Sequence, residues 1–253
     1  MNNTAAYRAQ NDHGGLRQRP ADAFWDDAES GFYAECVRAF LLRNPNSTLL
    51  EHPILELGSG TGEAIAEILS TDQSGIEIMG YELQAETASY AQQVIFDRAI
   101  SRYHIVHGDF FQAAPDSDLE CAISNPPYLP APDNKIVVPE LWGGLDGSAV
   151  MRRLLDRGFN QLVTTLSSFA DPVGTLKFAK SRGYRAADFA VRTMPFGAYS
   201  SEPKVRAQIE RLALDGRRAF ISAERYCLAV VLWVRDDGPD LAGSLRTAIT
   251  SLR

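Results

Sequence analysis

Residues 54–62, ILELGSGTG, constrain the fold of this chain more than any other segment. An apolar run passes into three glycines at alternate positions, Gly58, Gly60 and Gly62, and a stretch of helical periodicity begins at Glu63. Glycine reaches positive φ without a Cβ clash, so the pattern predicts a strand, a tight turn and a helix whose N-terminus faces a ligand. The same rhythm then repeats. Short apolar runs at 76–81, 103–107 and 121–124 alternate with helical stretches at 63–69 and 85–99, which predicts βα units and a parallel sheet.

Further strands are predicted at 161–168, 184–194 and 225–234, with a helix at 171–182 closed by Gly183. The connection 195–221 is long for a hairpin and contains a helix at 202–214, whose Val205, Ile209 and Leu212 form an apolar stripe. Upstream, Phe24, Ala28, Phe32, Cys36, Phe40 and Leu41 predict a helix over 24–43, ended by Asn44-Pro45. The chain is thus divided into a lead-in and helical cap (1–50), a main domain (51–235) carrying the insert 195–221, and a tail (236–253) with a short surface helix. The first twenty residues are polar and are expected to be disordered.

Composition narrows the function. With 45% apolar and 23% charged residues among 253, the chain has the make-up of a soluble globular protein. A formal charge of −7 and the lack of a dense Lys/Arg run weigh against a nucleic-acid substrate. No apolar run approaches the roughly 18 residues of a membrane span, and no membrane partner is expected. Cys36, Cys121 and Cys227 form no CxxC pattern and read as buried thiols in a reducing cytoplasm. His104 and His107 lack paired ligands, so no metal site is expected, and the three tryptophans read as packing, with Trp142 near enough to the later motif to line a pocket.

Two carboxylates follow the glycine turn at successive strand ends. Glu82 lies about twenty residues downstream, where a carboxylate suits the two hydroxyls of a ribose. Asp109 closes the third strand, placed to accept from an adenine amino group, and Phe110 is placed to lie against the ring. The fourth apolar run leads directly into Asn125-Pro126-Pro127-Tyr128. In a doubly wound sheet this strand neighbours the first, so the tetrapeptide faces the same crevice. Its prolines fix the backbone and aim the Asn125 side-chain oxygen and the Pro126 carbonyl at a planar NH2 group, with the Tyr128 ring available for stacking.

An acidic residue, Glu56, two positions before GxGxG resembles the first motif of class I methyltransferases. That resemblance implies a Rossmann-like α/β fold, a doubly wound, mostly parallel seven-stranded sheet with one antiparallel strand and a small helical cap. It also implies S-adenosylmethionine as cofactor, with Glu56, Gly58, Gly60 and Gly62 around the methionine portion, Glu82 and Asp109 on ribose and adenine, and Asn125 between cofactor and acceptor. Asn-Pro-Pro-Tyr resembles the catalytic motif of amino-methyltransferases, which makes Asn125, Pro126 and Tyr128 the catalytic set. The following Leu129-Pro130 and residues 139–147, PELWGGLDG, are similar to the HemK-like family that methylates a glutamine amide of peptide release factors. The leading expectation is an N-methyltransferase acting on a small molecule or an amino-acid or peptide acceptor. The alternatives are a protein-glutamine methyltransferase of release factors, an RNA or DNA adenine methyltransferase, and a non-catalytic cofactor-binding subunit.

Overall fold

The computed structural model describes residues 18–20, 23–42, 47–115, 119–216 and 218–252. Most of the polar lead-in, the Asn44-Pro45 helix stop and Arg217 lie outside the described residues. Seven strands form one sheet: β1 (Ile54–Leu57), β2 (Ile78–Glu82), β3 (Tyr103–His107), β4 (Cys121–Ser124), β5 (Gln161–Ser167), β6 (Arg185–Pro195) and β7 (Arg225–Val234). Their spatial order is β3-β2-β1-β4-β5-β7-β6, with β7 antiparallel to both neighbours and the other pairings parallel. The chain turns from one half of the sheet to the other between β1 and β4, the switch point at which α/β sheets bind ligands.

Helices cover both faces, which is why the central strands read as largely apolar runs: every residue of β1 and β4 is buried, Glu56 and Ser124 included. One face is packed by α1 (Asp27–Val37), α3 (Glu63–Thr71) and α4 (Ala85–Asp97), which follow and precede a short α2 (Ser47–Glu51), over Ile54, Ile78 and Ile123. The other carries α5 (Phe110–Ala113), α6 (Ala149–Arg157) and α7 (Pro172–Ser181) over Leu55, Leu57 and Leu162. Successive side chains of a strand point to opposite faces, so Ile54 and Leu55 belong to different core layers and Glu56 faces the α1–α3–α4 side. Among the described residues no helix is long and apolar enough to cross a membrane.

The structure corrects the first helix. It starts at Asp27, with the Asp26 side chain capping the Glu29 amide, and continues into a π-helical turn, Arg38–Leu42. Its buried face is rotated from the predicted one: Ala28 is exposed, whereas Glu29, Phe32, Tyr33 and Cys36 are buried. Phe24 precedes the helix and meets the Tyr199 ring at 5.4 Å. The sequence reading also passed over α6, whose Met151, Leu154 and Leu155 are buried and which stops at Gly158, φ 81°. The C-terminal helix α9 (Ala242–Ile249) is no surface ornament, since Leu245 and Ile249 are fully buried.

Within the β6–β7 connection, α8 (Pro203–Leu214) buries the stripe Val205, Ile209 and Leu212. Glu202 accepts from the Val137 amide at 2.9 Å, Gln208 donates to the Leu145 carbonyl at 2.8 Å and Lys204 pairs with Asp133. These contacts seat the helix on the loop that follows β4. Truncating Ile209, which is fully buried, to Ala is expected to cost about 2–5 kcal/mol in urea unfolding. A loss under about 1 kcal/mol, the scale of a surface change, would mean that α8 is not part of the core.

Candidate active site at the sheet switch point

Four strand ends converge on one cavity of about 400 Å³. The glycine turn forms one wall. Gly58, Gly60 and Gly62 have φ of 71°, 55° and 70°. A Cβ on Gly58 or Gly60 would meet nothing within 4 Å, so these two are required for backbone conformation and leave open space before them. Glu82 closes the turn from β2: its carboxylate accepts from the Gly60 and Gln84 amides, both at 2.9 Å, while burial raises its pKa. Glu56 lies beneath the turn, 2% exposed, and accepts from the Tyr103 hydroxyl. Burial pushes its pKa up to about 7, against the lowering effect of its hydroxyl partners. The buried Tyr33 hydroxyl, on the same cavity, has no hydrogen-bond partner among the described residues.

Asp109 lines the cavity and also caps α5, accepting from the Phe111 amide at 2.9 Å and from Gln112 Nε2 at 2.8 Å. The Phe110 ring is 3% exposed and stands edge-on to Tyr81 and Phe111 at 5.4 and 5.5 Å, so it is tied into the core while bordering the cavity. Its neighbour Phe111 is half-buried, with the Arg153 guanidinium 3.7 Å from the ring centre.

Asn125–Tyr128 forms the opposite wall. The sequence reading left the Asn125 oxygen free. In the structure it accepts from the Thr165 hydroxyl of β5 at 2.6 Å, so one of its lone pairs is already engaged. The Asn125 NH2 donates to Glu29 at 2.8 Å, and the hydroxyls of Tyr128 and Tyr226 donate to the other Glu29 oxygen at 2.6 and 3.4 Å. Glu29 is 4% exposed. Burial drives its pKa up to about 7 despite these three donors. It does not stand out in the sequence, because Phe24 and Phe40 draw the predicted apolar stripe toward Ala28 and away from Glu29. The available signal was its spacing: it precedes Phe32, Tyr33 and Cys36 by three, four and seven residues, on the apolar face.

Glycines of the segment after the motif clasp it from behind. A Cβ on Gly143 would lie 2.6 Å from Tyr128 Cα and 2.9 Å from the Pro127 carbonyl oxygen, and one on Gly147 would lie 2.5 Å from the Tyr128 carbonyl oxygen. Trp142 donates to the Ala131 carbonyl at 3.0 Å and lines the cavity, as do Trp25, Tyr199, Ser200 and Glu140. The insert and the region before α1 therefore both reach the cavity. The cysteines are free and buried, and no cluster of three potential metal ligands occurs among the described residues. Arg206 pairs with Glu210 and Arg218 with Asp215, which leaves them as parts of a mixed-charge surface.

This order of strands, with a glycine turn and an Asn-Pro-Pro-Tyr loop at adjacent strand ends, is a Rossmann-like doubly wound α/β arrangement. Residues 37–140 match the family model described as the methyltransferase small domain. The chain is similar to the release factor glutamine methyltransferase of Escherichia coli (strain K12), 35% identical over 95 residues that make up 37% of this chain and 34% of that protein. It is 28% identical to the enzyme of the same name from Gloeobacter violaceus over 117 residues, 40% of this chain and 39% of that one. The chain thus spans about a third of the length of the first of these curated relatives. In fold it resembles the E. cuniculi Mtq2–Trm112 complex, responsible for methylation of the eRF1 translation termination factor: TM-score 0.54 at 16% identity, covering 85% of this chain and 99% of that one.

Glu56 has a pKa raised from 4.5 to about 7, so between these values the native state holds a proton that the unfolded state has lost. Its contribution is fully present below 4.5 and is lost as pH rises through 7, at roughly 1 kcal/mol per pH unit. Denaturant unfolding of Glu56→Gln should show a flatter pH dependence than wild type across that window, and an unchanged slope would remove Glu56 as its source. Gly143→Ala must displace the Pro127–Tyr128 backbone. It should lower methyl transfer about tenfold or more, since small misplacements of positioning groups carry such costs, while leaving cofactor affinity intact; wild-type turnover would show the clasp to be dispensable.

Proposed function

We propose that this chain is an S-adenosylmethionine-dependent N-methyltransferase whose acceptor is a planar nitrogen carried by a polypeptide, a glutamine amide in the first instance. The observation that carries this reading is the meeting of the glycine turn and the Asn125–Tyr128 loop across one cavity at the sheet switch point. The relatives' names favour a protein amide over the free small molecule placed first by the sequence reading. The chain's charge of −7 still weighs against nucleic acid, and its buried free thiols suit the cytoplasm.

The residues present fit the cofactor. Two buried carboxylates, Glu56 and Glu82, line the cavity beside the glycine turn, and with the unpartnered Tyr33 hydroxyl they supply negative charge and hydrogen-bonding capacity suited to a cationic ligand. Gly58, Gly60 and Gly62 with Glu56 would hold its methionine portion, Glu82 the ribose hydroxyls, and Asp109 with Phe110 the adenine. When bound, S-adenosylmethionine supplies a methyl group activated on a sulfonium.

The protein's own contribution is orientation. The remaining lone pair of the Asn125 oxygen and the Pro126 carbonyl accept the two N–H bonds of the acceptor, which turns the nitrogen's electron pair away from the motif and toward the cofactor side. The Tyr128 ring offers a face on which a planar amide can stack. The same acceptors, backed by the Glu29 carboxylate, stabilise positive charge developing on the nitrogen.

The test is methyl transfer from labelled S-adenosylmethionine to a recombinant bacterial release factor, a metabolite extract and total RNA. Label on a glutamine of the release factor is expected, and label only in RNA or metabolites would overturn the protein-amide reading. By calorimetry, Glu82→Ala should weaken cofactor binding by about tenfold or more, the worth of a lost charge-assisted bond. Asn125→Ala should hold that affinity within a few-fold and lower turnover by about 10²–10³, the scale for one preorganised polar group. The reverse pattern would put the motif on the wrong ligand.

A further inference from the structure

The acceptor half of the cavity contains a buried acid that neither the glycine turn nor the Asn-Pro-Pro-Tyr motif accounts for. Glu29 enters from α1, far from both in sequence, and its two oxygens take the Asn125 NH2 on one side and the Tyr128 hydroxyl on the other. We propose that Glu29 is the positioning residue of the acceptor site, its ionised carboxylate fixing which way the Asn125 amide faces. The inference rests on the methyltransferase reading above and deepens it.

An Asn side chain can sit in either of two orientations related by a half-turn, and only its partners decide between them. Thr165 does not decide, because a hydroxyl can donate to the oxygen or accept from the NH2. An ionised carboxylate does decide, because it can only accept. With Glu29 ionised, the NH2 of Asn125 must face Glu29, and the oxygen must face Thr165 and the site of the acceptor. With Glu29 protonated, its O–H can donate to the Asn125 oxygen and the opposite orientation becomes allowed. An NH2 would then confront the N–H bonds of the incoming nitrogen, donor against donor. Loss of the Glu29 charge therefore unlocks the motif.

The surroundings keep this acid close to the point of switching. Burial raises its pKa to about 7, and the donors that favour ionisation are Tyr128 of the motif loop, Asn125, and Tyr226 of β7. Asp26, at the start of the same helix, adds a like charge. Glu63 of α3 is committed to Arg19 at 2.6 Å, and β5 offers the neutral Thr165. The side chains that act on Glu29 are thus neutral donors and one like charge.

The experiment uses the whole chain saturated with S-adenosylmethionine and has an arm that needs no acceptor. In ¹⁵N-labelled protein, the Asn125 side-chain NH2 signals, identified by their loss in Asn125→Asp, should shift in one step with a midpoint near 7. In Glu29→Gln that step should vanish while the signals remain. In the second arm, methyl transfer to the recombinant release factor should rise through the same pH range in wild type. It should fall about tenfold or more in Glu29→Gln, the scale for a displaced polar group, with cofactor affinity within about threefold, a change of under 1 kcal/mol. Glu29→Asp, which keeps the charge, should recover the pH step in part. Signals of Asn125 that ignore pH in wild type, or a step that persists in Glu29→Gln, would overturn the proposal. If wild type fails to methylate the release factor, the protein-amide reading falls and the amide titration alone decides the role of Glu29.

Discussion

The register of β1 against β4 is the constraint on which the site depends. Leu57 lies opposite Ser124 in the parallel pairing, and the Ser124 hydroxyl donates to the Leu57 carbonyl at 2.9 Å. The next residue on each strand is Gly58 and Asn125. The glycine turn and the Asn125–Tyr128 loop therefore leave the sheet side by side. Side chains alternate between faces, so a slip of one residue would turn Ile54, Leu55 and Ile123 into the wrong core layers as well as parting the two motifs. The packing that stabilises the sheet and the placement of the site are the same requirement.

Around that pairing the protein keeps acids where a stability-optimised core would have apolar groups. Glu29, Glu56 and Glu82 are each less than 9% exposed, and burial raises the pKa of all three. Hydroxyls and backbone amides supply most of their hydrogen bonds, which satisfies the oxygens without neutralising the charge. Such an arrangement disfavours the native state near neutral pH relative to lower pH, and concentrations of perturbed carboxylates mark functional sites. The stability comes from elsewhere: two continuous apolar layers, one on each face of the sheet, and the fully buried Val205 and Ile209 of the insert.

Most of the sheet was legible because its signals are local. Each parallel strand is a short apolar run bounded by turn residues, and β7 was read with its observed limits, Arg225–Val234. The stripe of α8 was legible for the same reason. Helix α6 was not, because its buried residues Met151, Leu154 and Leu155 are interleaved with Arg152, Arg153 and Asp156, which leaves only a short apolar stripe. In the first helix, Phe24 and Phe40 drew the apolar stripe toward Ala28, one residue away from the face that is buried. That single-residue error concealed Glu29.

The sequence by itself determined the sheet's parallel rhythm, the glycine turn and the Asn125–Tyr128 loop, because each rests on backbone conformation or periodicity within a few residues. It also singled out Glu82 and Asp109 as carboxylates at strand ends and Glu56 as the acid two positions before the glycine turn. Only the tertiary structure decided what those groups bond to. It turned Glu82 onto the Gly60 amide, made Asp109 a helix cap, closed Gly143 and Gly147 behind Tyr128, and brought Glu29 across 96 positions of chain to Asn125. The physical reason is that a hydrogen bond is fixed by distance and direction in space, and neither is encoded in the spacing of residues that meet only when the layers pack.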